Sequence, residues 1–287
     1  MSRENALKSI ATVNEFMEET SVLWNQYKHQ PLPSSQAAKE LAKFSRPESI
    51  GTAYSQGTVL IEVAADYVFA VTRTLTEPAQ TIAPWTCARG VLETSALALW
   101  LLDTSISADE RVKRSLAFRY EGFEQQRKLA QSTNGKIDPQ LIISRIDEVE
   151  QVALKLGYEK VIDKKDNRIG IGQNMPSITD IVIKMLNKEQ DYRFLSAMVH
   201  AHHWALQHFG FLKTHDDQMI FENVKGSYFE KHLSADSIFF LCTTSITSLC
   251  QALLMNFSLF GYDTKPLAIV IDNAIKKIQP PNESVSH

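Results

Sequence analysis

The residues most suited to chemistry in this sequence lie in one short segment, residues 191–206. Four polar residues recur there at helical spacing, within a stretch that is otherwise mostly apolar: Arg193, Ser196, His200 and His203. Such spacing places side chains on one face of an α-helix. An arginine keeps its charge and can hold phosphoryl oxygens, while an imidazole can move a proton near neutral pH. The pattern predicts phosphate chemistry without a metal ion, with His200 as general acid and base and Arg193 as phosphate clamp.

Three neighbours of this pair are predicted to assist it. Tyr192 and Ser196 would be auxiliary hydrogen-bond donors, and His203 either extends the site or packs beside Trp204. The same segment also has a structural interpretation, because buried histidines are usually hydrogen-bonded core residues and Arg193 can pair with a carboxylate. His202 lies off the shared face and is predicted to be exposed.

A second polar pair interrupts an apolar helix earlier in the chain. Arg89 and Glu93 are one helical turn apart between Trp85 and a run of apolar residues that ends at 102. A charge inside so apolar a helix needs a partner, because an unpaired buried charge is costly. The two residues either form a self-contained salt bridge, or Glu93 faces His200 or Arg193 across the bundle and orients it.

The remaining candidates for metal or thiol chemistry are a further acidic pair and three cysteines. Glu62 and Asp66 form another pair one turn apart, so carboxylates on several helices could combine with histidines in a carboxylate-bridged di-metal bundle. The usual signature of that class, a glutamate three residues before a histidine on each of two helices, is absent. Cys87, Cys242 and Cys250 lie in apolar stretches without zinc or dithiol spacing. We therefore predict no metal ligands, no cofactor, and buried thiols in a reducing compartment.

Helical periodicity runs from end to end, without the sustained alternation that indicates a sheet. This predicts an all-α fold, a multi-helix bundle in a single large domain over 1–279, with its core at roughly 50–260 and a disordered tail at 280–287. The segments 163–176 and 214–234 are predicted loops. The predicted helices are 4–28, 34–44, 50–76, 84–103, 107–132, 138–156, 177–188, 190–210, 235–260 and 265–278.

The charge and hydropathy of the sequence limit the classes of partner that we expect for this chain. A formal net charge of −3 gives no footprint for sequence-independent nucleic-acid binding, so any contact with RNA needs a local site. The helix at 107–132 mixes basic with acidic residues and is predicted to present a solvated face. The segment 238–260 has no charged residue and is long enough to cross a bilayer, but its many polar residues favour a buried core helix. We predict a cytoplasmic protein without membrane association.

The arginine, six intervening residues and histidine at Arg193 and His200 resemble the signature of HEPN-type helical domains. The segments 88–93, 176–179 and 192–196 also resemble uncharacterised bacterial helical proteins of domain-of-unknown-function families, over roughly residues 50–210. At one position the chain departs from the pattern: Phe194 stands where active HEPN nucleases usually carry a polar residue.

This resemblance implies a function and an assembly. It implies a HEPN-like core and a metal-independent ribonuclease of bacterial toxin or phage-defence type, with RNA as partner. It also implies a homodimer whose cleft contains Arg193 and His200 from both copies. The competing class is a non-catalytic helical binding or interaction protein.

Overall fold

The computed structural model describes residues 2–27, 30–133, 136–221 and 224–278. It confirms the predicted all-α, multi-helix fold. The predicted tail at 280–287 lies outside the described residues. The helices are α1 (Arg3–Gln26), α2 (Gln36–Lys43), α3 (Pro47–Leu75), α4 (Ala83–Leu102), α5 (Ala108–Ser132), α6 (Pro139–Lys155), α7 (Ile178–Leu186), α8 (Glu189–Val199), α9 (His203–Ala205), α10 (Ala235–Phe260) and α11 (Thr264–Ile278).

Two small antiparallel sheets lie where the sequence predicted loops, so that part of the prediction is wrong. The strands β1 (Lys160–Ile162), β2 (Arg168–Ile171) and β3 (Gln173–Asn174) form one sheet, in that order. The strands β4 (Phe211–Phe221) and β5 (Val224–Lys231) pair as a hairpin. Strands of two to four residues are too short to show alternation, and the longer β4 and β5 are interrupted by register shifts.

Helices α3, α4 and α10 form the centre of the protein. They pack directly against one another, and α10 also contacts α1, α2 and α11. The contact between α3 and α4 is close at Gly57, where a Cβ atom would lie only 2.4 Å from Leu102 Cγ. By length and composition α10 is also long and apolar enough to cross a membrane, and 56% of that apolar window is buried within the protein.

Two arginines of α5 are buried, which corrects the prediction of a solvated face. Arg111 donates to the carbonyl oxygens of Leu101 and Asp103 at 2.7 and 3.0 Å. Arg114 donates to the carbonyl oxygen of Trp100 at 2.7 Å. These carbonyls at the end of α4 have no partner within their own helix and carry partial negative charge. The cationic side chains therefore cap α4 from inside the fold, a tertiary contact that periodicity cannot reveal.

The predicted helix 190–210 is broken after Val199. His200 is the C-terminal cap of α8, and Ala201 has a left-handed φ of 52°. The amide of Ala201 donates to Met198 O at 3.1 Å, and that of His202 donates to Ala197 O at 2.9 Å. This is the Schellman arrangement, which usually has a glycine where this chain has Ala201. Without that glycine, no local signal in the sequence marks the end of α8.

Candidate functional site

An open cleft of about 400 Å³ lies where α4 meets α7, α8 and α9. Its size falls in the range of small-molecule binding sites. The helix break after Val199 shapes one side of it, since residues on both sides of the break contribute to the wall. The cleft is lined by Arg89, Thr179, Tyr192, Arg193, Ser196, Ala197, His202 and Trp204.

A hydrogen-bonded network joins α4 to α8 at the wall of this cleft. Arg89 Nε donates to Glu93 Oε1 at 2.8 Å, within the one-turn pair predicted from the sequence. Arg89 also donates to the hydroxyl of Tyr192 at 3.3 Å, and that hydroxyl donates to Glu93 Oε1 at 3.1 Å. The pair is therefore not self-contained. Glu93 faces α8 as one interpretation proposed, but its partner there is Tyr192 rather than His200 or Arg193.

Arg89, not Arg193, contacts the candidate catalytic histidine. Arg89 Nη1 and His200 Nε2 are 3.2 Å apart. An arginine N–H can only donate, so the contact is a hydrogen bond in the tautomer that carries the ring proton on Nδ1. His200 is exposed to solvent at the end of α8. The contact thus places Nε2 of His200 beside the guanidinium of Arg89.

The environment of Arg89 keeps its charge. Burial alone would lower the pKa of the Arg89 guanidinium, but its interactions with Tyr192 and Glu93 outweigh burial and raise the pKa above its usual value. The guanidinium also lies over the ring of Tyr192, 5.4 Å from the centroid. Arg89 is therefore a fixed positive charge whose orientation is set by three contacts.

Arg193 lines the same cleft but is held differently. Its side chain is exposed, and Nε donates to Glu189 Oε1, also exposed, at 2.8 Å. Among the described residues, no hydrogen bond joins Arg193 to His200. Exposed ion pairs contribute little to stability, so a stronger anion can replace Glu189 at this arginine.

The helix break after Val199 determines which of the other residues predicted from the sequence lie at the cleft. Ser196 is half-buried and lines the cleft, as the predicted face requires. His203 does not line it, because it begins the separate helix α9 and no longer shares a face with Arg193. His202, placed off the face by a continuous helix, lines the cleft instead. Its exposure, predicted from the sequence, is confirmed.

Phe194 belongs to an aromatic cluster behind the cleft. Its ring centroid lies 4.4 Å from that of Phe209, 5.2 Å from that of Trp85 and 5.5 Å from that of Phe240. The side chain thus anchors α8 to the core. Packing within this cluster explains why an apolar residue follows Arg193.

Neither the Glu62 and Asp66 pair nor the three cysteines line this cleft. Glu62 accepts a hydrogen bond from Trp24 Nε1 at 2.5 Å. Cys242 and Cys250 are buried as predicted, and burial raises the pKa of both thiols, which makes them inert. Cys87 is only half-buried. Within the described ranges, no three histidine, cysteine or acidic residues are arranged to hold a metal ion, so nothing there supports a di-metal bundle.

The cleft combines the oriented guanidinium of Arg89 with the exposed guanidinium of Arg193, and the exposed imidazole of His200 contacts Arg89 at its edge. Together these groups can bind a phosphodiester and take a proton from a neighbouring hydroxyl. The sequence placed Arg193 and His200 on one helix face but did not indicate that Arg89 contacts His200. Comparison of the chain with protein-family models, curated proteins and solved structures gives no significant match.

Proposed function

We propose that the cleft binds the phosphodiester backbone of RNA and cleaves it without a metal ion. The observation that carries this proposal is the contact between Arg89 and the exposed His200, at the edge of a cleft also lined by Arg193. An imidazole with its Nε2 beside a guanidinium pairs a base with an anion stabiliser, a combination suited to phosphoryl transfer.

The reaction follows from what these groups can exchange. A phosphate oxygen takes the guanidinium N–H of Arg89, which releases Nε2 of His200. That nitrogen accepts the proton of the ribose 2′-hydroxyl, and the 2′-oxygen forms a bond to phosphorus. The bond from phosphorus to the 5′-oxygen breaks, the leaving oxygen takes a proton from water, and the hydroxide so formed takes the proton from Nε2 of His200. The products are a 2′,3′-cyclic phosphate and a 5′-hydroxyl.

The arginines have separate roles in this step. Arg89, oriented by Glu93 and Tyr192, lies next to the base and stabilises charge on the nonbridging oxygens. Arg193 exchanges its exposed partner Glu189 for a second phosphate oxygen. A local site of this kind suits a chain whose net charge of −3 offers no general attraction for nucleic acid.

The test is RNA cleavage in excess EDTA by wild type and single variants that retain their circular-dichroism spectra. Removal of a general base or of a charge stabiliser typically costs about 10²–10⁴-fold in rate, so we expect His200→Ala and Arg89→Ala to lose at least about 100-fold. Arg193→Ala should lose at least about ten-fold, as expected for one charge-assisted hydrogen bond.

Matched controls come from the same classes of side chain. His232 and Arg145 are exposed and do not line the cleft, so His232→Ala and Arg145→Ala should cleave at the wild-type rate. Equal rates for the cleft variants and the controls, or no cleavage by wild type, would remove the nuclease proposal. We would then conclude that the chain is a non-catalytic helical binding protein.

The assembly implied by the HEPN resemblance is part of the proposal. Two copies would bring Arg193 and His200 of each chain to one cleft, as in toxin and phage-defence nucleases. Light scattering should then give twice the mass of one chain at the concentration used for the cleavage assay. A monomer that retains full activity would contradict this assembly.

A further inference from the structure

One tryptophan differs from the others in its surroundings. Trp204 on α9 is 52% exposed, whereas Trp24, Trp85 and Trp100 are 8%, 0% and 3% exposed. A tryptophan buries a large apolar area when it packs, so half-exposure leaves much of that favourable free energy unused. The position is therefore one where a ligand can complete the packing.

Trp204 is held in place from behind. Its ring centroid lies 6.4 Å from that of Phe194, at an interplanar angle of 37°. Phe194 is in turn fixed by the aromatic cluster of Trp85, Phe209 and Phe240. An indole backed in this way is a rigid platform, and rigid aromatic surfaces bind flat ligands with little loss of conformational entropy.

The platform lies beside the cationic groups of the cleft. Trp204 lines the same cleft as Arg89, Arg193 and His202. A flat aromatic surface next to guanidinium groups is the combination that binds a nucleotide, since the base stacks on the ring and the phosphate pairs with arginine. An apolar peptide side chain would use the ring but not the two arginines.

We propose that Trp204 stacks on a nucleobase adjacent to the scissile phosphate, and that the substrate is consequently unpaired RNA at this position. The inference rests on the proposed function, which makes RNA the ligand. Inside a duplex each base is already stacked between its neighbours and its face is inaccessible. A base can reach Trp204 only when it is splayed out of a single strand, loop or bulge.

The emission of Trp204 gives a direct readout of stacking. The probe is an octanucleotide with 2′-O-methyl groups throughout, which binds but cannot be cleaved through a 2′-hydroxyl. Because the other three tryptophans are buried, acrylamide quenching of the free protein should report mainly Trp204. We expect the single-stranded probe to quench or shield this emission, and a duplex of the same sequence to bind at least ten-fold more weakly.

Two variants separate stacking from packing. Stacking on an aromatic side chain corresponds to roughly ten-fold or more in affinity for each base, so Trp204→Ala should weaken binding of the single-stranded probe by about that factor. Trp204→Phe keeps an aromatic face and should bind within about three-fold of wild type. Circular dichroism establishes that both variants are folded.

The outcomes distinguish this inference from the proposed function. Probe binding that depends on Trp204, without cleavage of the matching RNA, would support stacking and remove the nuclease proposal. Cleavage that is unchanged in Trp204→Ala, or equal binding of duplex and single strand, would overturn the stacking inference alone. Emission that is already shielded from acrylamide in the free protein would overturn it too, since Trp204 would then be covered by another surface such as a second copy.

Discussion

Replacement of Glu40 by alanine tests how the buried arginine of α5 is stabilised. Arg111 is fully buried, and its Nε atom lies 3.1 Å from Glu40 Oε2. The hydroxyl of Tyr54 donates to the same carboxylate oxygen at 2.6 Å. Glu40→Ala would remove the counter-charge of Arg111 and the acceptor of Tyr54 together, while the guanidinium remains in the protein interior.

The expected loss of stability follows from the burial of Arg111 rather than from its distance to Glu40. Truncating one partner of a buried ion pair costs about 3–5 kcal/mol, because the other charge is left without compensation. For a domain of this size about 1 kcal/mol corresponds to roughly 2 °C in melting temperature. We therefore expect Glu40→Ala to melt roughly 6–10 °C below wild type in a thermal scan followed by circular dichroism.

The matched control is a shorter contact at the surface. Glu15 and Lys277 approach to 2.6 Å, but both side chains are at least half exposed. Solvent screens such a pair, so Glu15→Ala should melt with the wild-type protein. A melting temperature for Glu40→Ala that matches wild type, or equal losses in the two variants, would show that Arg111 does not depend on the counter-charge of Glu40.

Three further outcomes are expected from the same structure. Arg89→Ala and Glu93→Ala should each lose about 1–2 kcal/mol in denaturant unfolding, because side chains that are 19% and 29% exposed keep some contact with water. Gly57→Ala should lose about 1–3 kcal/mol because α3 and α4 touch there, whereas Gly122→Ala, with open space around it, should gain about 0.5–1 kcal/mol. Cell fractionation should recover the protein without detergent, since the polar residues within 238–260 suit a protein interior; recovery only in the membrane pellet would contradict this.

Most of the helices could be predicted because their signals are local. Ser177 accepts from the amide of Asp180 and donates to its carboxylate, as the capping pattern at the start of α7 indicates. Asp138 likewise caps α6 ahead of its proline. Signals of this kind involve residues two or three positions apart, so a single sequence carries them.

The candidate site was predicted only in part because its decisive contacts are not local. His202 lines the cleft in place of His203 because the backbone of Ala201 is left-handed, at a position where the sequence offers no glycine. The partner of His200 is Arg89, which is 111 positions away in the chain. Helical spacing can place residues on a face, but it does not specify which other helix packs against that face.

The most direct test of the central proposal is a cleavage assay in excess EDTA with two matched substrates. One is a single-stranded RNA, and the other is the same sequence with 2′-O-methyl groups throughout. Wild type should cut the RNA, leave 2′,3′-cyclic phosphate ends and spare the methylated strand, because His200 has no proton to remove from it. Cutting both strands equally, or cutting neither, would contradict a ribonuclease site built from Arg89 and His200.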